Sequence, residues 1–202
     1  MSDPVSATGH EFRGDDWYAD DLGAARFTDC TFTDVDLSEV TTTGAVFEGC
    51  RFAGCRFNSS VHRSSAFVAC ELVRCNFFGA TLDGCKLSGS VFSECTMRPL
   101  TVSGGQWGGV TIRGADLSRL DLTGLDLRQA DLSLSDLSGA VLRGCRLDGA
   151  SVRDTDLGAT DLRGASLGGV DLAAARLRRT RLDLAGSVLL AELHGADVDV
   201  SV

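Results

Sequence analysis

The stretch Ala115–Leu142, ADLSRLDLTGLDLRQADLSLSDLSGAVL, places leucine at 117, 122, 127, 132, 137 and 142. A step of five fits neither regular structure. On an α-helix it turns about 140°, so the leucines scatter around the axis. On a continuous strand it changes face each time. A chain that turns once per five residues resolves the conflict. The leucine and the residue two before it have the same parity, so both point inward from a short extended segment. The other three face out or form the corner.

The same position, called the centre below, recurs every fifth residue from Phe12 to Leu182 without an insertion or deletion. Of these 35 centres, 33 are Leu, Phe, Trp, Ile, Val or Met; Thr42 and His62 are the exceptions. Two residues before the centre, 29 of 35 are Ala, Cys, Ser, Thr, Gly or Val. Two residues after it glycine is frequent, as at Gly44, Gly49 and Gly54, where a corner asks for positive φ. The pattern resembles the pentapeptide repeat, A-(D/N)-L-x-x. That resemblance implies an all-β fold, a right-handed quadrilateral parallel β-helix with a coil every 20 residues. Thirty-five repeats then make about nine coils, a rod of roughly 42 Å at ~4.8 Å per layer.

The 202 residues, 44% hydrophobic, suffice for one domain with its own core. Residues 1–9 are expected to be a flexible N-terminus, 10–184 the β-helix, and 185–202 a helical cap and dimerisation segment. No apolar run reaches the ~18 residues of a membrane span. The opening MSDPVSATGHEF has no charged-then-apolar signal layout, so a cytoplasmic protein without membrane contact is expected.

All eight cysteines (30, 50, 55, 70, 75, 85, 95 and 145) occupy the small inward position. Cys30, Cys50 and Cys70 should share one column, and Cys55, Cys75 and Cys95 another. Such a stack offers no tetrahedral convergence for a metal, and a reducing compartment argues against disulfides. They read as buried thiols packing as small apolar groups. Thr42 and His62 lie 20 apart, so they should meet in one column between Leu22 and Leu82 and satisfy each other or the backbone. No nucleophile–base set, P-loop or dinucleotide motif stands out. The expectation is a non-enzyme with no cofactor and no metal.

Phenylalanine dominates the centres of the first half, leucine those from Leu117 on; the wider rings suggest a different corner geometry or cross-section. After Leu182 the register stops, and residues 184–198, LAGSVLLAELHGADV, read as a short α-helix closed by Gly195. Its Val188, Leu189, Leu190 and Leu193 offer more apolar surface than a cap needs. A plain cap over the last coil is one reading; in the other they are the candidate contacts of a homodimer joined end to end.

The net charge is −9, from 28 acids and 19 bases. Residues 1–48 hold 11 acids and 2 bases, so the whole excess sits there. No basic stripe points to direct nucleic-acid binding. Aspartates recur just before the centre. Asp116, Asp136 and Asp156 should share a column with Asp16 and Asp36; Asp121 and Asp161 share another, and Asp131 and Asp171 a third. These nine are the candidate partner-binding residues, as negative lines along a rod. A DNA mimic is one reading, although nine net charges on the rod give about one per ~4.7 Å, against ~1.7 Å for duplex DNA. A structural or adaptor rod that binds another protein through its flat faces is the alternative.

Local stretches carry a closer resemblance: HRSSAF at 62–67, GSVFSECTMRPLT at 89–101, and the closing VLLAELHG. They are similar to the MfpA-like, Qnr-related group of pentapeptide repeat proteins associated with fluoroquinolone resistance. The resemblance implies a dimeric, DNA-like rod that binds DNA gyrase, a type II topoisomerase, modulates it and protects it from quinolones. The unbroken register has no place for the loops that project from many Qnr rods, which favours the MfpA-like variant.

Overall fold

The computed structural model describes residues 6–199. It is a right-handed parallel β-solenoid with one short α-helix. Each layer pairs with the layer twenty residues on. One face is the ladder Ser6–Thr8, Arg26–Thr28, Val46–Glu48 and Ala66–Val68. The second runs from Glu11–Arg13 through Thr31–Thr33, Arg51–Ala53, Glu71–Val73 and Val91–Ser93 to Thr111–Ile112. A third face holds the ladder from Asp21–Gly23 to Leu100–Ser103. The remaining face has no strand among the described residues. Single parallel bridges join Asp16, Asp36, Arg56, Asn76 and Thr96 in turn and, after a gap, Asp116, Asp136, Asp156 and Arg176.

Three expectations are corrected. The strands build about five turns, from Ser6 to Ile112, rather than nine. Beyond them the twenty-residue stacking continues as one bridge per layer as far as Arg181. The solenoid also starts before residue 10, since Ser6–Thr8 pairs with Arg26–Thr28. Residues 1–5 of the expected flexible segment, and 200–202 of the expected cap, lie outside the described residues. The helix, α1, is Leu184–Leu193, starting at the first residue of the expected helix but one residue before the 185 boundary of the cap, because Asp183 caps it by accepting from the Gly186 amide at 2.9 Å.

The change from strands to bridges lies in the corners. Around Leu127 the corner closes on itself, the Ala130 amide donating to the Leu127 carbonyl at 3.1 Å. Around Phe67 no such bond forms. The Ser90 hydroxyl of the next coil takes its place, accepting from the Cys70 amide (2.9 Å) and donating to the Phe67 carbonyl (2.8 Å). Ser135 does the same for Ala115 and Ile112. Cysteine fills this role most often. The thiols of Cys30, Cys50, Cys55, Cys70, Cys75, Cys85 and Cys95 each donate to the carbonyl 23 residues back, over a corner with no bond of its own. The thiols therefore do more than fill space: they satisfy backbone groups that would otherwise be buried unpaired. Burial holds the Cys85 and Cys145 thiols protonated, with pKa values pushed up to about 11. All eight cysteines are free, and only Cys95 is less than fully buried.

Most corners carry their positive φ two residues after the centre, whatever the residue. Asp29 (52°), Leu134 (66°) and Arg179 (56°) adopt it beside the glycines.

Inside, the centres stack ring on ring. Phe32 and Phe52 are parallel at 4.5 Å, Phe47 and Phe67 at 4.6 Å, and Phe57 and Phe77 at 4.6 Å. Each buried ring contributes roughly 1.5–3 kcal/mol. Thr42 and His62 meet in their column as expected, Oγ1 to Nδ1 at 2.8 Å, both fully enclosed.

At the far end α1 lies over the last coil, and Gly186 lets it approach Leu167 and Leu182 closely. Asp183 also accepts from the Gly164 amide at 2.7 Å, which ties the helix start to the coil. Leu189 and Leu190 pack on the core, while Leu184 and Leu193 stay 74% and 40% exposed. No helix among the described residues is long and apolar enough to cross a membrane.

Candidate protein-interaction surface

The aspartate before each centre has a local task. Its Oδ1 accepts the amide two residues on, which closes the outer side of the corner as an Asx turn. Asp16 does this for Tyr18, Asp36 for Ser38, Asp116 for Ser118, Asp121 for Thr123, Asp131 for Ser133, Asp136 for Ser138 and Asp156 for Gly158. Asp171 accepts from Ala173 and so caps the 3-10 turn Leu172–Ala174. One carboxylate oxygen thus serves the fold, and the other remains for whatever lies outside.

What lies outside differs sharply among the nine. Asp116, Asp136 and Asp156 stand one above another, joined by parallel bridges. Asp136 and Asp156 make no ion pair among the described residues, whereas Asp116 is held by Arg98 at 3.0 Å. Asp16 and Asp36 stack in the same face. Asp36 pairs with Arg56 at 2.7 Å, and Asp16 makes no ion pair among the described residues. Asp121 and Asp161 are two layers apart, separated by Val141. Asp161 is buried, with Arg143 and Arg163 at 2.7 Å and Arg181 at 4.0 Å from Oδ2. Asp131 lies 3.6 Å from Arg113.

The titration behaviour follows these contacts. The Arg56 guanidinium brings the Asp36 carboxyl down to about 2. At Asp116 partial burial works upward, but the Ser118 hydroxyl and amide and Arg98 outweigh it, so the carboxyl sits low. The Thr123 hydroxyl and amide lower Asp121. All three stay ionised at neutral pH.

The columns expected from spacing therefore split. Asp136, Asp156, Asp121 and Asp16 present open charge. Asp171, exposed and with its carboxylate bonded among the described residues only to the amide two residues on, is open like them, whereas Asp161, Asp36, Asp131 and Asp116 are answered by arginine. The neutralising arginines were the missed residues. Their positions, 2, 18 or 20 residues from the aspartate they meet, are the signal that marks them. The acidic excess of the N-terminal coils is less answered: among Glu11, Asp15, Asp16, Asp20, Asp21, Asp29, Asp34, Asp36, Glu39 and Glu48, only Asp36 has an ion pair within the described residues. Among the described residues no group of three or more His, Cys, Asp or Glu could hold a metal.

A solenoid whose inward fifth residues fill the core, and whose outer aspartates close its corners, is a pentapeptide-repeat β-helix. The chain belongs to the pentapeptide repeat family: the model described as "Pentapeptide repeats" matches in eight copies, over residues 21–60, 70–98, 115–154 and 150–185. Among solved structures it is similar to full-length QnrB1, a plasmid-mediated fluoroquinolone resistance protein, at 22% identity and a TM-score of 0.65, covering 95% of this chain and 100% of that one. A trypsin-treated variant of QnrB1 gives 20% identity, a TM-score of 0.60 and 96% and 98% coverage. At these identities the likeness concerns the fold. No curated protein matches the chain.

Proposed function

We propose that this chain is a non-catalytic, DNA-mimicking rod that binds DNA gyrase, modulates it and protects it from fluoroquinolones. The observation that carries the reading is the open acidic line Asp136–Asp156, extended by Asp116, on a strand-free face. Stacked layers set its carboxylates at a regular spacing of ~4.8 Å. A basic DNA-binding surface meets there a rigid row of acceptors; Asp136 and Asp156 each have one oxygen committed to the backbone and one free, while Asp116 is shared with Arg98. The acidic N-terminal coils extend the field that steers such a partner. The likeness of the fold to a fluoroquinolone resistance protein supports the same direction.

Homodimerisation through α1 belongs to this reading. The exposed Leu184 and Leu193 are its outward contacts, Val188 is half-buried beside them, and Leu189 and Leu190 hold the helix to the coil. Two rods joined end to end offer a longer charged surface than one.

The deciding experiment is a gyrase supercoiling assay with and without a quinolone. Wild-type protein is expected to change the activity or the drug response at micromolar concentration, and Asp136→Asn/Asp156→Asn, which removes both charges and keeps both Asx turns, to abolish the change while leaving the fold intact. No effect of the wild type sinks the gyrase reading. Recovery of a different protein partner by the same acidic face would support the adaptor-rod alternative.

A further inference from the structure

The strand-free face does not end as it runs. Above Asp156 the column passes to Arg176, and the same segment adds Arg178 and Arg179. Together they border an open cavity of about 420 Å³ that also includes Ser138, Asp156 and Gly158.

These arginines differ from their neighbours. From Arg98 to Arg181 the chain has twelve arginines. Seven of them (98, 113, 128, 143, 146, 163 and 181) lie within 4.0 Å of an aspartate. Of the five that do not among the described residues, three line this one cavity. Three arginines and one aspartate are among its lining residues, a formal local charge of +2 in a protein of net charge −9. Asp156 does not cancel them: its Oδ1 is taken by the Gly158 amide at 2.8 Å, and it makes no ion pair among the described residues. Backbone bonds fix the segment that carries the three arginines. Arg176 donates its amide to the Thr155 carbonyl at 2.9 Å, the Arg178 carbonyl accepts from the Ala159 amide, and Arg179 turns the corner at φ 56°.

We infer that this cavity is an anion site for a phosphate-bearing small molecule. Guanidinium forks match phosphate oxygens in pairs, and a dianion balances the +2 of the wall, which a single carboxylate does not. The Ser138 hydroxyl adds a neutral donor on the rim. The site lies on the face of the Asp136–Asp156 line but at its C-terminal end, beside the capped coil. It does not depend on the gyrase reading.

Titration calorimetry of the full chain at low ionic strength tests it, with inorganic phosphate, pyrophosphate and ATP as probes. Saturable binding of at least one is expected, strongest for the more highly charged probes. Arg178→Gln/Arg179→Gln should weaken it at least tenfold, and Arg63→Gln, on another part of the rod, should leave it unchanged. Asp156→Asn removes the opposing carboxylate and should tighten binding, a gain that no unfolding artefact imitates. Absence of binding to all three probes overturns the inference. So does binding that survives the double arginine change, or equal affinity for citrate, which would mark a general anion surface.

Discussion

Thr42 and His62, twenty residues apart, are locked together in the core, with Thr42 Oγ1 2.8 Å from His62 Nδ1. The network around them fixes the tautomer. The Ser60 hydroxyl donates to the Phe57 carbonyl at 2.8 Å, so it accepts from His62 Nε2–H at 3.1 Å, and Nδ1 is left to accept the Thr42 proton. Ser65 Oγ, 2.8 Å from Thr42 Oγ1, completes the chain. Two polar centres are tolerated because every polar atom of the pair has a partner; an unpaired one would cost ~1–3 kcal/mol.

That arrangement sets a pH dependence. Burial lowers the His62 pKa from 6.5 to about 4. Between those values the unfolded chain binds the proton and the folded one does not, so this contribution is complete above about 6.5 and is lost as pH falls toward 4. The full loss is roughly 3 kcal/mol. Urea denaturation at a series of pH values should show stability falling through this window, and His62→Leu should flatten that part of the curve. An unaltered slope in the variant removes His62 as its cause.

The corner at Phe67 depends on a side chain from the next coil. Ser90→Ala leaves the Cys70 amide and the Phe67 carbonyl without their partner and should cost about 1–3 kcal/mol. Ser90→Cys should recover much of that, since cysteine performs the task in the two coils below, at Cys50 and Cys70. Melting temperatures of the three proteins decide it; a Ser90→Ala protein as stable as the parent contradicts the bridging role.

Asp161 and Asp136 look equivalent in the repeat but are not. Asp161→Asn takes the acceptor from three arginines and should destabilise by about 1–2 kcal/mol. Asp136→Asn keeps the Asx turn and breaks no ion pair, so its stability should stay within ~0.5 kcal/mol of wild type. Chemical denaturation of both variants separates a carboxylate that serves the fold from one that is open to a partner.

If α1 carries the dimer, its outward leucines matter more than its inward ones. Leu193→Asp should give a soluble monomer by light scattering with an unchanged melting profile at matched monomer concentration. Leu190→Asp should lower the melting temperature as well, because Leu190 packs on the core. A dimer that persists in Leu193→Asp would place the contact elsewhere.

The repeat and its columns were legible because a fixed covalent period makes vertical neighbours arithmetic. Asp116 under Asp136, Phe47 under Phe67 and Thr42 under His62 all follow from counting twenties. The Asx role of the aspartates was not legible in the spacing; it appears only where each Oδ1 meets the amide two residues on. Corner type was also written in the chain. A cysteine or serine two residues before a centre marks an open corner in the coil beneath, as Cys70 does for Phe47 and Ser90 for Phe67. Ser60 and Cys145 depart from this, because the corners beneath them, at Leu37 and Leu122, close on their own amides.

Sequence alone determined the period, the inward pairs, the stacking partners and the end of the solenoid, because each is fixed by chain connectivity and by the burial of apolar side chains. Tertiary structure decided which charges remain. An arginine side chain is long enough to reach up, down or along its own coil, and Asp161 is met from all three directions, by Arg143, Arg181 and Arg163. Spacing places such groups in neighbouring columns. Only the folded surface, where reach, burial and competing partners are settled together, leaves Asp136 and Asp156 open while Asp161 is enclosed.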